Sequence, residues 1–313
     1  NYLGAMRPAL RMVDPSARTL FFIADYHSLI DVHDADVLRQ FSREVTASWL
    51  ACGLDPKKTI IYKQSDVPEI FELTWILNCF SPKGLMNRGH AYKARTAENA
   101  EQKKADVDYN VNVGLFTYPI LMAADILMFN TDQVPVGEDQ VQHLEIARDI
   151  AQKVNHQYGE TLKVPIGVVQ KETKLVPGLD GRKMSKSYNN HIPLFVEADK
   201  LRSMIMKIKT DSTPPEAPKP TEGSIIFDLY KEFATPAEVE ALAARYAKGI
   251  GWGEAKQALY EVIEREVKDK REVYKHYMNN PAELDAILKN GADQARAIAK
   301  PVLATVKKNI GVN

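Results

Sequence analysis

The stretch Thr19–Ala24 (TLFFIA) is a short apolar run of strand-forming residues, and Thr59–Tyr62 (TIIY) is a second such run. Between the two runs, large side chains recur at the spacing of one helical face, and Gly53 then follows as a helix stop signal. A strand, a helix and a strand in this order predict a βαβ unit and therefore a parallel sheet. The side chains at helical spacing are those of Leu38, Phe41, Val45 and Trp49.

Further regular elements are predicted downstream of this unit. Thr117 followed by Pro119 predicts a helix start, with threonine as the N-cap and proline in the first turn, and the helix would run to Phe129. Val134–Val136 is predicted to be a short strand, and a second helix is predicted over residues 139–154. Strands that alternate with helices in this way are typical of an α/β fold.

Two polar segments are predicted to be loops. Residues 82–112 follow a predicted helix over residues 66–80, and their proline, glycines and charged run predict a mobile loop or insertion. Residues 165–190 carry Pro-Gly and Asp-Gly pairs and are predicted to form a long loop, whose last part covers residues 178–190.

The second half of the chain has a different character. A cluster of prolines between residues 214 and 220 predicts a boundary or linker. After it, almost every segment shows helical spacing. We therefore predict an α/β domain over residues 1–195 and an all-helical domain over residues 196–313. The predicted helices of the second domain are 227–233, 236–248, 253–279 and 281–312.

The charge balance restricts the class of partner. Lysine plus arginine equals aspartate plus glutamate, at 41 each. Proteins that wrap nucleic acid without sequence preference are usually basic, so the balance argues against a DNA partner and leaves room for a local face that meets one folded RNA. The longest apolar stretch, Ile120–Phe129, is interrupted by Asp125 and is too short to span a bilayer, so no membrane partner is predicted.

Cysteine and histidine usage argues against metal chemistry. The spacing of Cys52 and Cys79 fits neither a zinc site nor a disulfide framework, and their apolar surroundings predict two buried thiols in a reducing cytoplasm. The seven histidines show no metal-ligand spacing, so no protein metal site is predicted. Neither a Ser-His-Asp nor a Cys-His arrangement is suggested, and glycine-rich dinucleotide and P-loop motifs are absent.

The most specific string of the chain is Gly181–Ser187 (GRKMSKS). Two lysines three residues apart, with two serine hydroxyls, lie on a loop bounded by glycine. Lysine is a compact cation suited to phosphate charge, and serine adds hydrogen-bond donors. The string therefore predicts a loop that closes over a polyphosphate; the alternative is a solvated loop without a ligand.

A second candidate site lies where a strand runs into a helix, at Val136–Gln140 (VGEDQ). Ligands of parallel sheets bind beyond the carboxyl ends of the strands, and Gly137 permits a close backbone approach. The alternatives are that Asp139 caps the helix and that Gln140 is an ordinary surface residue. His27 also follows a predicted strand end, where it can face a ligand or serve as a structural residue.

Tyr118, Met122 and Asp125 share one face of a predicted helix. Asp125 lies inside an apolar run, and a buried carboxylate is costly unless it is paired or hydrogen-bonded. It could belong to a structural polar network with an internal arginine or a backbone donor. Equally, it could accept an N–H group from a bound ligand.

Together, these motifs resemble class I aminoacyl-tRNA synthetases, and among them the tryptophanyl enzymes of bacteria. Lys183–Ser187 (KMSKS) matches the second signature of that class, and Asn1–Ala5 (NYLGA) looks like the end of the first. The resemblance implies that the first strand and the first-signature histidine would precede Asn1. Segments similar to the tryptophanyl enzymes in particular are Leu121–Leu127, Val134–Gln140, Gln142–Glu145 and Lys207–Ser212.

The resemblance implies a Rossmann-like catalytic domain that activates tryptophan with ATP and Mg²⁺. Asp125 would accept the indole N–H, Tyr118 and Gln140 would hold the amino group, and Lys183 and Lys186 would be catalytic together with Ser187. The implied tryptophan site consists of His27, Tyr118, Met122, Asp125, Val134, Val136 and Gln140. The implied ATP site consists of Asn1, Gly137, Asp139, Gln140, Lys183, Met184, Ser185 and Lys186.

The resemblance also implies partners. The helical domain would bind the anticodon of a tryptophan tRNA, and the enzyme would be a cytoplasmic homodimer. Two alternatives remain at this stage: a tyrosyl-tRNA synthetase, which is a close cousin, and a non-catalytic binding module of synthetase-like fold.

Overall fold

The computed structural model describes residues 2–169, 176–185 and 188–312. The chain divides into two compact units, each described by itself. The helical unit consists of Asn1–Met12, Ala47–Leu54 and Thr173–Asn279. The sheet unit consists of Val13–Thr46, Asp55–Glu172 and Asn280–Asn313.

The described residues form parallel strands and many helices, which confirms the predicted α/β class. The strands are β1 (Thr19–Ile23), β2 (Thr59–Lys63), β3 (Gln133–Val136) and β4 (Ile166–Val169). The helices are α1 (Arg7–Arg11), α2 (Asp25–Ser28), α3 (Ala35–Ala51), α4 (Glu69–Phe80), α5 (Lys83–Met86), α6 (His90–Glu101), α7 (Val113–Leu127), α8 (Val141–Tyr158), α9 (Ala198–Met206), α10 (Ile225–Lys231), α11 (Pro236–Lys248), α12 (Trp252–Asn279) and α13 (Pro281–Ile310). A π-helical turn at Tyr2–Met6 and 3₁₀ turns at Gln64–Asp66 and Glu138–Gln140 complete the list.

The predicted βαβ unit is confirmed. β1 and β2 pair in parallel with Thr19 opposite Thr59, and α3 connects them along the chain. The stop signal at Gly53 is confirmed as well, because this residue has a φ of 106°, in a region that side-chain-bearing residues rarely adopt.

A second parallel pair joins β3 to β4, with Val134 opposite Gly167. The predicted loop over residues 165–190 was therefore wrong at its beginning, where the apolar stretch Ile166–Val169 forms a strand. Gly167 packs closely on α8: a Cβ atom at this position would lie 2.5 Å from Leu144 Cδ2, so a larger residue would need the leucine side chain to shift.

The helix α7 begins earlier than predicted. The side chain of Asn112 accepts a hydrogen bond from the Leu115 N–H at 2.7 Å and caps the helix. Thr117 is therefore an interior residue, whose hydroxyl donates to the Val113 carbonyl at 2.8 Å, and Pro119 also lies inside the helix. Asparagine is a better helix cap than threonine, so α7 begins at Val113, one turn earlier than predicted.

The polar segment over residues 82–112 was predicted to be a mobile loop or insertion, and the loop alternative was wrong, because the segment contains α5 and α6. The turn after α6 is held by Asn99, which is 3% exposed and donates from Nδ2 to the carbonyls of Val107 and Tyr109, both at 2.8 Å. A helix with few apolar residues has weak periodicity, so its sequence gave little helical signal.

The last helix, α13, packs on β2 and α4 within the sheet unit. A Cβ atom at Gly291 would lie 1.8 Å from the Ile61 carbonyl oxygen, so only glycine permits this close approach. Arg296 also donates from Nε to Glu69 at 3.0 Å. Residues 280–313 therefore pack with the strands, although the sequence placed them in the helical domain predicted over residues 196–313. The predicted functional roles of the two domains stay predictions.

The helical unit is built around α9 to α12, of which the periodicity after the proline cluster predicted α10, α11 and α12. A capping box begins α11, where the Thr235 side chain accepts from Glu238 N and the Glu238 carboxylate accepts from Thr235 N. The buried side chains of this unit include those of Leu201, Ile205, Phe227, Leu242, Tyr246, Leu259 and Val262.

The two cysteines differ in exposure. Cys52 is buried, and burial raises the pKa of its thiol to about 11. Cys79 is exposed, so the prediction of two buried thiols was wrong for this residue. Its apolar neighbours in sequence lie on the buried face of α4, whereas Cys79 lies on the other face.

Candidate active site

Asp125 is the buried centre of a polar cluster in the sheet unit. The residue is 5% exposed and lies on α7 between fully buried apolar neighbours. Gln64 Nε2 donates to both carboxylate oxygens, at 2.8 and 2.9 Å, and His27 Nε2 lies 2.9 Å from Oδ2. The partners are thus two side chains from other elements, neither an arginine nor a backbone donor.

The environment of Asp125 opposes and supports its charge at the same time. Burial raises the pKa of this carboxyl, while the hydrogen bonds from His27 and Gln64 lower it in part. Burial and the nearby Asp125 charge raise the pKa of Tyr62 on β2. An ionised Asp125 therefore depends on its two hydrogen-bond donors and on any further donor that a ligand brings.

A second carboxylate fixes the elements that carry these donors. Asp25 accepts from the Ser65 N–H at 3.0 Å and also from the Ser65 hydroxyl. Because Asp25 precedes His27 on α2 and Ser65 follows Gln64 in the 3₁₀ turn, the two elements are joined directly as well as through Asp125. The carboxyl ends of β1 and β2 thus converge on α7.

Tyr118 lies near this cluster on the same face of α7. Its ring centroid is 6.3 Å from that of His27, in an edge-to-face arrangement. A hydrogen bond of 2.7 Å joins its hydroxyl to Nε2 of His143 on α8, and burial raises the pKa of Tyr118. The structure therefore brings three of the predicted residues together: His27, Tyr118 and Asp125.

The predicted apolar contacts belong to one hydrophobic cluster. Val136 is buried in the cluster, and Met122 and Val134 are partly buried against it. Gly137 and Gln140 follow β3 in the 3₁₀ turn, where the Gln140 N–H donates to the Gly137 carbonyl at 2.9 Å. The side chain of Asp139 lies outside what the structure describes.

Sequence reasoning missed Gln64 and His143 as members of the site. Gln64 is fully buried, and an amide directly after a strand end is a weak signal by itself. His143 is 3% exposed, and in the sequence it stood out only as part of Gln142–Glu145, a segment that resembles the tryptophanyl enzymes. What reveals both residues is their contact with Asp125 and Tyr118, across 61 and 25 residues of sequence.

In the helical unit, the loop at Lys183 is closed by an antiparallel bridge from Pro177 to Lys183. Asn190, 3% exposed, holds the loop from inside. Its Oδ1 accepts from Ser185 N at 2.7 Å, and its Nδ2 donates to Asp180 Oδ1 at 2.7 Å and to the Lys183 carbonyl at 3.1 Å.

The two described cations of this loop, Arg182 and Lys183, differ in their partners. Arg182 pairs with Asp180, and the hydrogen bond from Asn190, followed by that from Arg182, lowers the pKa of Asp180 to about 2. Lys183 is exposed and, within the described residues, forms no ion pair. Met184 N donates to the Val176 carbonyl at 2.9 Å. The predicted residues Asn1, Lys186 and Ser187 lie outside the described residues.

The part of the chain that the structure describes contains no group of three or more His, Cys, Asp or Glu residues that could hold a metal ion. None of its helices combines the length and the apolar character that a bilayer crossing requires.

Comparison with known proteins gives a consistent result. Residues 2–268 match the family model for class I tRNA synthetases of the W and Y type. A tryptophan–tRNA ligase of Bordetella parapertussis is 50% identical over 315 residues, covering 100% of this chain and 70% of that protein. One of Neisseria meningitidis is 46% identical over 313 residues and is covered to 93%. Tryptophanyl-tRNA synthetase of Campylobacter jejuni, solved with ADP and tryptophan, has a TM-score of 0.89 at 42% identity, covering 99% of this chain and 95% of that chain.

Proposed function

This chain belongs to the tryptophan–tRNA ligases of the class I tRNA synthetases, and from that membership we propose that the cluster around Asp125 is its tryptophan site. The enzyme activates tryptophan with ATP and transfers it to its tRNA. The carboxylate of tryptophan attacks the α-phosphorus of ATP, which gives tryptophanyl-adenylate and pyrophosphate. A hydroxyl of the 3′-end ribose of the tRNA then attacks the tryptophanyl carbonyl, which forms the ester and releases AMP.

One observation carries the proposed site: Asp125 is a buried carboxylate whose partners among the described residues are two side-chain donors, Gln64 and His27. An acceptor held inside an apolar cluster suits a ligand that is mainly apolar and has one N–H group. The indole ring of tryptophan has both properties. Phenylalanine has no ring donor and tyrosine carries its hydroxyl at a different place on the ring, so neither would add the further donor that the indole N–H offers to the buried carboxylate.

The remaining contacts follow from the same arrangement. Met122, Val134 and Val136 would pack on the indole ring, since they belong to one hydrophobic cluster. Tyr118 and Gln140 would hold the amino group. His27 would border the pocket and donate to Asp125.

We assign the phosphates of ATP to the loop that contains Lys183, Lys186 and Ser187. Phosphoryl and adenylyl transfer require mainly positioning and charge stabilisation, which an exposed lysine free of ion pairs among the described residues can supply. Mg²⁺ would accompany ATP as its counter-ion, without a side chain of this chain assigned to it. The proposed ATP contacts are Asn1, Gly137, Asp139, Gln140, Lys183, Met184, Ser185 and Lys186.

A homodimer is proposed from an exposed apolar face of the sheet unit. Trp75 is 72% exposed and Val113 is 76% exposed, and Tyr26 and Leu29 are each 43% exposed. The rings of Tyr26 and Phe71 lie 4.1 Å apart, one helical turn from Trp75. Large exposed apolar side chains on neighbouring elements favour an interface with a second copy. Sedimentation of the enzyme and of a Trp75→Glu variant tests this, since the variant should be monomeric.

The tRNA partner is proposed to meet the helical region over residues 196–313 through its anticodon. Single-stranded loops are recognised by a local surface, which a chain of balanced charge can offer. The proposed reaction takes place in the cytoplasm. The test is aminoacylation of tRNA transcripts with altered anticodons. If kcat/KM is the same for all of these transcripts, this assignment is wrong.

The proposed pocket is tested by ATP–pyrophosphate exchange that depends on the amino acid. Tryptophan should support exchange, and tyrosine should not. The matched pair of substrates for the pocket is tryptophan and its benzothiophene analogue, β-(benzothiophen-3-yl)alanine, in which sulfur replaces the indole N–H. A site centred on Asp125 should prefer tryptophan by about 10-fold or more. Equal use of the two substrates by the enzyme would place the indole N–H elsewhere.

A further inference from the structure

Gln64 is a buried amide at the carboxyl end of β2. Gln64 is fully buried, and its Nε2 lies 2.8 Å from Asp125 Oδ1 and 2.9 Å from Asp125 Oδ2. One amide nitrogen thus bridges both oxygens of the carboxylate. Such a symmetric contact fixes the rotation of the carboxylate plane, which a single hydrogen bond cannot do.

The amide of Gln64 has no second anchor among the described side chains. Its Oε1 is buried and accepts no hydrogen bond within the described residues. Leaving a buried acceptor unsatisfied is unfavourable, and native proteins retain few such atoms. The orientation of the amide is therefore set by the negative charge of Asp125, because the flipped amide would place two acceptors against each other.

The backbone that carries Gln64 is held independently. Ser65, the next residue, donates from N–H and hydroxyl to Asp25, and Asp25 lies on the same short helix as His27. His27 in turn contacts Asp125 Oδ2. Gln64, Asp125, His27, Asp25 and Ser65 thus form a closed ring of contacts that joins β2, α2 and α7.

We infer that Gln64 is the positioning residue of tryptophan selection: its bridging amide orients the Asp125 carboxylate so that one lone pair is presented to the indole N–H. This inference rests on the proposed tryptophan site. Gln64 itself need not touch the substrate. Loss of the Gln64 amide should therefore weaken the use of tryptophan, whose indole N–H is recognised. It should have little effect on an analogue that has the ring but no N–H group.

The experiment compares tryptophan with the benzothiophene analogue in ATP–pyrophosphate exchange by the full chain. Gln64→Met preserves the approximate size of the side chain and removes the donor. We expect the ratio of kcat/KM for tryptophan over the analogue to fall by about 10-fold, as is typical for the loss of a hydrogen bond to a charged group. The loss should lie in KM for tryptophan, while kcat changes little. Damage to the fold alone would lower kcat/KM for both substrates by the same factor.

Asn99→Ala is the matched control. It removes another buried amide of the sheet unit, which donates to the carbonyls of Val107 and Tyr109 and belongs to no proposed binding contact. Its ratio of kcat/KM for tryptophan over the analogue should equal that of the wild type. If Gln64→Met does not fold, Gln64→Asn keeps a buried amide that is one methylene too short to bridge the carboxylate, and the same fall in the ratio is expected.

The outcomes separate the two proposals. If the wild type prefers tryptophan, Asp125→Ala abolishes the preference and Gln64→Met retains it, then the inference on Gln64 is wrong and the tryptophan site stands. If Asp125→Ala also retains the preference, the site itself is misplaced. In the double variant, adding Gln64→Met to Asp125→Ala should change the ratio no further. An additional fall would show that Gln64 acts otherwise than through Asp125.

Discussion

The hydroxyl of Tyr118 is hydrogen-bonded to Nε2 of His143 at 2.7 Å, and Tyr118 is one of the two residues proposed to hold the amino group of tryptophan. Tyr118 is on α7 and His143 is on α8, so the contact also joins the two helices. An imidazole nitrogen that accepts the hydroxyl hydrogen leaves the oxygen lone pairs of Tyr118 for an ammonium group. His143 would then orient a substrate contact without touching the substrate.

The first prediction concerns this pair. Tyr118→Phe and His143→Leu should each raise KM for tryptophan by about 5- to 10-fold, which corresponds to the loss of one hydrogen bond. The double variant should be no worse than the more impaired single variant, because the two side chains act as one unit. Steady-state ATP–pyrophosphate exchange gives all four KM values. Additive losses would mean that His143 has a structural role separate from Tyr118.

The second prediction concerns selection by Asp125. Asp125→Asn retains the shape and an acceptor oxygen but loses the charge, so tryptophan use should fall and discrimination against tyrosine and phenylalanine should be eroded. Asp125→Ala should erode it further. Ring size alone provides only about 1–3 kcal/mol of discrimination. The measurement is kcat/KM for activation of each amino acid, and wild-type selectivity in both variants would make Asp125 a structural carboxylate.

The same substitution has an effect on stability with a definite sign. Because burial raises the folded-state pKa of Asp125 above its ordinary value, the folded state binds the proton more readily than the unfolded chain does. The contribution of Asp125 to the free energy of unfolding therefore decreases as pH rises through the raised pKa. At neutral pH, the ionised carboxylate destabilises the folded state. Asp125→Asn should leave Tm unchanged or higher at neutral pH, with a smaller difference at acidic pH. A large fall in Tm at neutral pH would contradict this sign.

A third prediction separates phosphate binding from loop support. Lys183→Ala should lower the rate of adenylate formation by about 10²–10³-fold, as the loss of one electrostatic contact to a developing charge does. Asn190→Ala removes the side chain that holds the Ser185 N–H and the Lys183 carbonyl, so it should lower the same rate to a lesser degree. Pre-steady-state kinetics would report both.

The control for these two variants is Lys57→Ala, which removes an exposed lysine of the sheet unit. Its rate of adenylate formation should match that of the wild type. Tryptophan affinity should be nearly unchanged in all three variants. If Lys183→Ala altered only the affinity for tryptophan, with normal chemistry, the assignment of the loop to phosphate would be wrong.

The fourth prediction uses the two thiols. Cys79 is exposed, whereas Cys52 is buried and burial raises its thiol pKa to about 11. Since the thiolate is the reactive form, iodoacetamide at neutral pH should modify Cys79 in the native enzyme and Cys52 only after denaturation. Peptide mass analysis of labelled protein is the measurement. Cys79→Ser should abolish native labelling, and persistent labelling of that variant would show that Cys52 is accessible.

Local patterns were sufficient for much of the fold. The apolar runs that became β1 and β2 and the helical spacing between them predicted the parallel βαβ unit, because alternation and helical periodicity are properties of neighbouring residues. Periodicity failed where helix or strand formation depended on remote contacts. The strand β4 is stabilised by pairing with β3 and by close packing of Gly167 on Leu144, neither of which leaves a pattern within the strand itself.

By itself, the sequence determined the family and indicated a candidate phosphate loop, because KMSKS and VGEDQ are contiguous strings whose chemistry lies in their order. It also identified Asp125 as a buried carboxylate that needs a partner. The partner was decided only by tertiary structure. Gln64 lies 61 residues and His27 98 residues from Asp125 along the chain, and no local pattern couples residues so far apart. Burial and hydrogen bonding act through space, so only the packing of β2, α2 and α7 could place both donors on one carboxylate.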